Sequence, residues 1–183
     1  MIVVDDASTD GTSDIVRAVF AQNADLSAQN RAVSAQNPAF ESTDRATIIT
    51  APPLLDGWTG KLSALNAGLR HANTRQKPPE YLWLTDADVV HPPETLSRLA
   101  AKAAQGRFDL TSMMVRLRCI SFWERQLIPA FIYFFQMPYP FPAANDPRAR
   151  IAAAAGGCML LQRESLNKAG GLEAVSGALI DDC

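Results

Sequence analysis

Cysteine and histidine are both scarce in this sequence. Its 183 residues include three cysteines and two histidines, and no two cysteines form a CxxC pair. A structural zinc site takes four Cys or His ligands at close spacing, so this composition argues against one. Three widely separated thiols also suit a reducing compartment better than a disulfide-stabilised secreted protein.

A basic excess and a long apolar run are missing as well. The 17 lysines and arginines are balanced by 19 acidic residues, which leaves a net charge of −2. A dedicated nucleic-acid binder normally has a clustered basic excess, so no nucleic-acid partner is predicted. The longest apolar stretch, Leu127 to Phe141, is interrupted by Gln136 and three prolines and is shorter than the ~20 residues that cross a bilayer. We therefore expect this chain to be soluble or at most interfacial, without a leader peptide.

What the sequence does contain is an alternation of strand-like and helix-like segments. The strand-like segments are 2–4, Ala46–Thr50, Tyr81–Thr85, Asp109–Leu117 and Cys158–Leu161. The helix-like segments are Thr12–Phe20, Lys61–His71, Pro92–Gly106 and Arg163–Ala169. This alternation predicts an α/β fold in which helices flank a mostly parallel sheet, with residues 1–183 as one domain. The polar segment Gln22–Asp44 lacks firm periodicity and is predicted to be a loop or a weak helix.

Both ends of the sequence suggest a fragment. A buried-strand pattern begins at residue 2 without a preceding turn, and the sequence stops directly after Asp181 and Asp182. We therefore expect a domain truncated at both ends.

The segment Phe122–Phe141 is aromatic and contains prolines, and Arg116, Arg118 and Arg125 lie close to it in sequence. Such a stretch is most often part of a core. It also suits a surface that rests on a membrane and presents a lipid acceptor. Both interpretations stay open at the level of sequence.

Acidic residues follow two of the apolar strands, and the pair Asp86 and Asp88 follows the strand Tyr81–Thr85. In open α/β sheets the carboxyl ends of strands form the ligand crevice. Extended backbone would put the two carboxylates on the same side, where they could share one hard cation. A solvated turn or a helix cap is the alternative, and the preceding apolar strand and the following Pro-Pro helix start favour metal or phosphate chemistry.

The first strand is followed by Asp5 and Asp6 within a segment rich in capping residues. A helix-capping turn accounts for that composition. A cap from Ser8, Thr9 or Asp10 is compatible with an Asp5 or Asp6 that faces a nucleotide base.

The loop Gly57–Lys61 superficially resembles a phosphate-binding P-loop. Leu55 occupies the position of the required first glycine and Leu62 that of the required Ser or Thr, so the P-loop interpretation fails. What remains is a helix start that could hold phosphate through backbone N–H groups, with Lys61 beside it. Considered alone, Lys61 is more typical of a plain surface lysine.

Three segments in order resemble the family 2 glycosyltransferases of GT-A fold. They are Ile2–Thr12, with the letters IVVDDASTDGT, Gly60–Leu69, with GKLSALNAGL, and Leu84–Asp88, with LTDAD. Four later segments resemble more narrowly the hopene-associated glycosyltransferases, which are related to ceramide glucosyltransferases. They are Met114–Cys119, Phe134–Met137, Ala155–Leu160 and Gly177–Cys183.

The resemblance implies a donor site for a nucleotide sugar such as a UDP-sugar. Asp5 and Asp6 would contact the base and ribose, and Lys61 would lie near the nucleotide or its diphosphate. Asp86 and Asp88 would form the DxD motif that binds Mg2+ or Mn2+ together with the diphosphate.

On the acceptor side, the resemblance implies that Asp182 is the general base of an inverting transfer. Asp181 stands where the family motif usually has glutamate. Gly156 and Gly157 would let the backbone approach the sugar or acceptor closely, although a simple turn also explains them. The resemblance further implies a parent on the cytoplasmic face of a membrane, anchored by flanking segments that this sequence lacks, and a lipid or hopanoid as a possible acceptor.

Two other functions fit parts of the pattern. In a haloacid-dehalogenase-like phosphatase, Asp86 would be the nucleophile and Asp88 the acid/base, with Asp181 and Asp182 as distal metal ligands. In such phosphatases the nucleophile usually follows the first strand, whereas here two strand-like segments come earlier. A nucleotide-binding protein without catalysis is the second alternative.

Overall fold

The computed structural model describes residues 1–33, 46–146 and 148–178. The described chain divides into two compact units, the first made of Met1–Pro78 with Val175–Ala178 and the second made of Pro79–Ala174. Each unit has its own sheet. That residues 1–183 form one catalytic domain stays a prediction.

The sheet of the first unit is a parallel pair. Strand β1 (Ile2–Asp5) pairs with strand β2 (Thr47–Thr50), with Ile2 opposite Thr47 and Asp5 opposite Thr50. Both strands are short and rich in β-branched residues, which suit a pleated and partly buried surface. The parallel direction makes both strands end at the same edge of this sheet.

Two helices accompany this parallel pair. Helix α1 (Thr12–Val33) is longer than predicted, because it continues through part of the polar segment that was expected to be a loop or a weak helix. Helix α2 (Gly60–Asn73) is capped by Thr59, whose hydroxyl accepts a hydrogen bond from the Leu62 N–H at 3.5 Å. The helix packs closely on the sheet, since a Cβ at Gly68 would lie 3.2 Å from Val4 Cγ2.

The sheet of the second unit has the strand order β3-β5-β4. Strands β3 (Tyr81–Thr85) and β4 (Leu110–Ser112) each pair antiparallel with β5 (Cys158–Gln162), which lies between them. β3 and β4 therefore run in the same direction. Nothing in the sequence indicates the antiparallel direction of β5.

The core of the second unit forms between this sheet and helix α3 (Thr95–Gly106). Leu99 and Ala103 of the helix pack with Cys158 and Leu160 of β5, and all four residues are buried. Burial of a leucine side chain contributes about 1.5–3 kcal/mol. The helix begins three residues after Pro92, with Glu94 as its cap, and ends at Gly106 as predicted.

The remaining elements of the second unit are short or exposed. Helix α4 (Phe122–Phe135) begins with a capping box and has no buried residue. The others are α5 (Phe141–Ala144), α6 (Arg163–Lys168) and a 3₁₀ helix (Leu172–Val175) that leads back to the first unit.

The mixed α/β fold predicted from the sequence is confirmed, with a parallel sheet and flanking helices consistent with a GT-A-like arrangement. In the parts of the chain that the structure describes, no helix combines the length and the apolar character needed to cross a membrane.

Candidate functional site

Asp5 is a buried residue, and its carboxylate holds the turn that follows β1. Asp5 accepts hydrogen bonds from the Ser8 N–H at 3.2 Å and from the Ser13 hydroxyl. The backbone turns sharply at Ala7, which has a positive φ of 57°. The hydrogen bonds from Ser13 and then Ser8 lower the pKa of Asp5 below its ordinary value, because they stabilise the charged carboxylate. Asp5 therefore connects the end of β1 to the start of α1.

Asp10 supplies a local cap for α1. Its carboxylate accepts hydrogen bonds from the Thr12 N–H at 3.1 Å and from the Thr12 hydroxyl at 2.6 Å. These bonds lower the pKa of Asp10. Asp10 is therefore one of the predicted capping residues that does bond to the helix start.

Asp6 lies on the other side of the turn, against the start of α2. Its Oδ2 atom is 3.4 Å from the position that a Cβ would take at Gly60. Asp6 is exposed, and so is Lys61, the next residue along α2. A carboxylate near a helix N-terminus is favoured by the helix dipole. The structure thus brings Asp6 together with the Gly60–Lys61 segment, two motifs that are more than fifty residues apart in the chain.

Asp86 and Asp88 lie in a turn at the end of β3. The Asp86 carbonyl accepts a hydrogen bond from the Val89 N–H at 3.4 Å, so the backbone does not stay extended as the same-side argument assumed. Asp86 is half-buried and Asp88 is exposed. The prediction that extended backbone places the two carboxylates on the same side therefore does not apply, because a turn replaces that backbone. Their position at the end of β3 is as predicted.

Gly157 lies beside Asp86, in the turn before β5. Its carbonyl accepts a hydrogen bond from the Asp86 N–H at 3.4 Å. A Cβ at Gly157 would lie 2.8 Å from Val115 Cγ2 and 3.7 Å from Asp86 Oδ2. Because 2.8 Å is too close for a Cβ contact, only glycine fits here without a shift. The tight contact at this glycine is thus made to Val115, and the close approach to a sugar or acceptor stays a prediction.

The sequence analysis missed a contact between His91 and the end of β3. His91 Nε2 lies 2.6 Å from the Thr85 hydroxyl, and the same hydroxyl lies 3.1 Å from the Gly157 carbonyl. The His91 ring also contacts Trp83 in a tilted arrangement, with the ring centroids 4.8 Å apart and the planes at 60°. These contacts fix the strand end immediately before Asp86. The only signal in the sequence is that one of two histidines stands three residues after the DxD motif.

The family comparison matches the region that carries the DxD motif. The profile of Glycosyl transferase family 2 matches residues 54–170, which is more than half of the chain. The chain belongs to glycosyl transferase family 2. No curated protein matches the chain in sequence.

Membership of this family implies transfer of a glycosyl group from a nucleotide-sugar donor to an acceptor. The matched region includes Lys61, Asp86, Asp88 and Gly157, whereas Asp5, Asp6 and Asp182 lie outside it. The competing phosphatase interpretation gains nothing from the fold, because two strands do precede β3.

The metal that family 2 glycosyltransferases of DxD type would use fits the donor atoms at the end of β3. Carboxylate oxygens suit Mg2+ and Mn2+, and Mg2+ commonly takes one or two carboxylates and completes its shell with phosphate and water. Asp86 is held against Gly157, and Asp88 is exposed at the same turn. Within residues 1–33, 46–146 and 148–178, no group of three or more His, Cys, Asp or Glu side chains is placed to hold a metal.

Two predicted residues cannot be placed. Asp181 and the predicted general base Asp182 lie outside the described residues.

Proposed function

We propose that this family 2 glycosyltransferase moves a hexosyl group from a UDP-sugar to an acceptor hydroxyl with inversion at the anomeric carbon. The observation that carries the proposal is the DxD motif at the end of β3, where the Asp86 N–H donates a hydrogen bond to the Gly157 carbonyl at 3.4 Å. This backbone bond ties the start of the motif to the turn before β5, and a metal or diphosphate ligand needs a carboxylate on such a supported segment.

On the donor side, Asp86 and Asp88 would hold Mg2+ or Mn2+ together with the diphosphate. The metal would neutralise the charge that develops on the diphosphate as it leaves. His91 and Thr85 would keep the strand end rigid, since they join the hydroxyl next to Asp86 to the Gly157 carbonyl. In this proposal His91 is a positioning residue and contacts no substrate.

For the nucleotide, Asp6 is the better placed of the first acidic pair. Its carboxylate is exposed, whereas that of Asp5 is used by Ser8 and Ser13. We assign Asp6 to the ribose or base and Asp5 to the turn that presents Asp6. Because Asp6 lies at the start of α2, it would repel a phosphate held by the backbone N–H groups there. Lys61 is therefore assigned to the diphosphate through its ammonium group and not through the helix N-terminus.

On the acceptor side, Asp182 is assigned as the general base. A single displacement needs a base that removes the proton of the attacking hydroxyl. It also needs a separate site that stabilises the leaving group, here the carboxylates at the end of β3. A lipid or hopanoid acceptor, and a parent protein on the cytoplasmic face of a membrane, follow from the resemblance to hopene-associated glycosyltransferases.

The test is turnover of a panel of UDP-sugars with a hydroxyl-bearing lipid acceptor and Mn2+. UDP release would report transfer, and the coupling constant of the anomeric proton in the product would report inversion. We expect Asp182→Asn to lower turnover by roughly 10²–10⁴-fold with UDP binding unchanged, because a general base contributes that much.

Asp181→Asn is the matched control, because it removes the adjacent carboxylate. A large loss in Asp181→Asn with normal turnover in Asp182→Asn would move the base to Asp181. Retention of anomeric configuration would contradict the single displacement. Phosphate release from an aryl phosphate that depends on Asp86 would favour the phosphatase instead.

A further inference from the structure

Helix α4 has a broad apolar face that nothing in the described chain covers. Six side chains form this α4 aromatic face, and their exposed fractions range from 57 to 69%: Phe122, Trp123, Leu127, Phe131, Tyr133 and Phe134. At 3.6 residues per turn they cover roughly half of the helix circumference. The less exposed residues, which include Ile128, Ile132 and Phe135, lie on the opposite side.

This helix is well formed in spite of its exposure. Ser121 and Glu124 make a reciprocal capping box, in which the Glu124 carboxylate accepts from the Ser121 N–H at 2.7 Å and from the Ile120 N–H at 2.8 Å. These backbone bonds lower the pKa of Glu124 below its ordinary value. A capped helix with six exposed large apolar residues is a surface that is built to be covered, because soluble surfaces rarely carry such a patch.

The segment that contains α4 is more basic than the chain as a whole. Residues 113–150 contain five arginines and only two acidic residues, whereas the chain has a net charge of −2. The five arginines are all exposed: Arg116, Arg118, Arg125, Arg148 and Arg150. Arg118 shortly precedes α4 and Arg125 lies within it, so the apolar face belongs to a basic segment, which complements an anionic, oily surface.

The residue types also point to a bilayer more than to another protein chain. The face mixes Trp and Tyr, which favour the membrane–water boundary, with Phe and Leu, which favour the acyl region. An arginine close to such a face can keep its head group in water or on lipid phosphate while its stem stays apolar. A protein interface would more commonly interleave polar residues that fix register, and the only polar side-chain groups of the face are the Tyr133 hydroxyl and the Trp123 indole N–H.

We propose that the α4 aromatic face binds the surface of an anionic lipid bilayer, with α4 lying in the plane of the interface. The binding combines burial of the six apolar side chains in the outer acyl layer with attraction between the arginines and lipid phosphate. The proposal does not depend on the proposed nucleotide-sugar site, and the vesicle experiment that tests it contains no nucleotide. Its failure would leave the proposed glycosyl transfer untouched.

The test is co-sedimentation of the chain with phosphatidylcholine vesicles, with and without phosphatidylglycerol. We expect binding that is stronger with phosphatidylglycerol and weaker at high salt, because screening reduces the arginine contribution. Brominated lipids are expected to quench tryptophan fluorescence through Trp123. The Trp123→Ser/Phe134→Ser variant is expected to bind at least about tenfold more weakly, since each buried aromatic contributes that much to partitioning.

The matched control is Leu54→Ser/Leu55→Ser, which removes two comparably exposed apolar side chains of the first unit. It is expected to bind vesicles as the parent chain does. Circular dichroism checks that each variant is folded. If the face variant did not fold, Arg118→Gln/Arg125→Gln would carry the test through an expected loss of preference for phosphatidylglycerol.

Three results would overturn the proposal. One is equal vesicle binding by the face variant and the parent chain. Another is no vesicle binding by a folded parent chain. The third is a dimer in sedimentation that separates in the face variant without any vesicle binding, which would make the face a contact between two copies of the chain.

Discussion

At the scale of single residues, Asp5 shows what a local sequence pattern can and cannot predict. The capping composition after β1 predicts a turn, and Asp10 does cap α1 through Thr12. The partner that occupies the Asp5 carboxylate is Ser13, eight residues further on. That contact depends on how the turn and the first helical residues fold together, so the sequence alone left Asp5 and Asp6 indistinguishable.

We predict that Asp5→Asn lowers the free energy of unfolding at neutral pH and flattens its dependence on pH in acid. The pKa of Asp5 in the folded chain is lowered below 3.8, its ordinary value. The unfolded state therefore binds the proton more readily, and the stabilisation is complete above pH 3.8 and lost as pH falls through the folded pKa. Urea unfolding of both chains across the acid range measures this.

Asp14→Asn is the control for this experiment. Asp14 is an exposed residue of the same helix, paired with Arg17 at 3.0 Å, and exposed pairs of this kind contribute little. It should therefore leave the acid limb of the stability profile nearly unchanged. An Asp5→Asn profile parallel to that of the parent chain would contradict the assigned role.

At the scale of helices and strands, the hydrophobic pattern of the sequence predicted the bounds of an element well where its burial is one-sided and poorly elsewhere. β3 begins and ends where predicted, because an apolar run stops at Asp86. β4 keeps only Leu110–Ser112 of the predicted Asp109–Leu117, because its partner β5 begins at Cys158, whose carbonyl accepts a hydrogen bond from the Met113 N–H at 3.0 Å. α1 extends past the predicted end through Ala- and Gln-containing sequence with good helix propensity but no apolar stripe.

We predict that Gly157→Ala destabilises the second unit by about 1–3 kcal/mol, as overpacking of a closed contact usually does. The added methyl would meet Val115 Cγ2 at 2.8 Å. Because the same carbon would lie beside Asp86, metal-dependent nucleotide binding should weaken as well. Chemical denaturation and titration calorimetry measure the two effects.

Val115→Ala supplies the compensating change. The double variant Gly157→Ala/Val115→Ala should be less destabilised than the sum of the two single variants, because the clash is gone. Additive losses would mean that Gly157 is not held by Val115.

At the scale of the whole chain, the family was indicated by three motifs in the expected order and not by any one motif alone. The family match covers Lys61, Asp86 and Asp88. In the described structure, the first unit brings Asp6 to the start of α2, and the second brings Asp86 to Gly157. The role of His91 was not predicted, and the sequence left open whether Phe122–Phe141 is core or surface, because the contacts of Thr85 and the lack of packing on α4 arise only in three dimensions.

The proposed function makes one demand on the whole chain, namely that Asp86 and Asp88 bind a nucleotide diphosphate through a metal. Calorimetric titration of UDP into the chain, with and without Mn2+, tests this most directly. The variants are Asp86→Asn/Asp88→Asn and, as control, Glu164→Gln, which removes an exposed carboxylate paired with Lys168. We predict binding that requires Mn2+, persists in Glu164→Gln and is lost in the double variant. Binding by the folded chain that is equally strong without Mn2+, or equally strong in the double variant, would contradict the account.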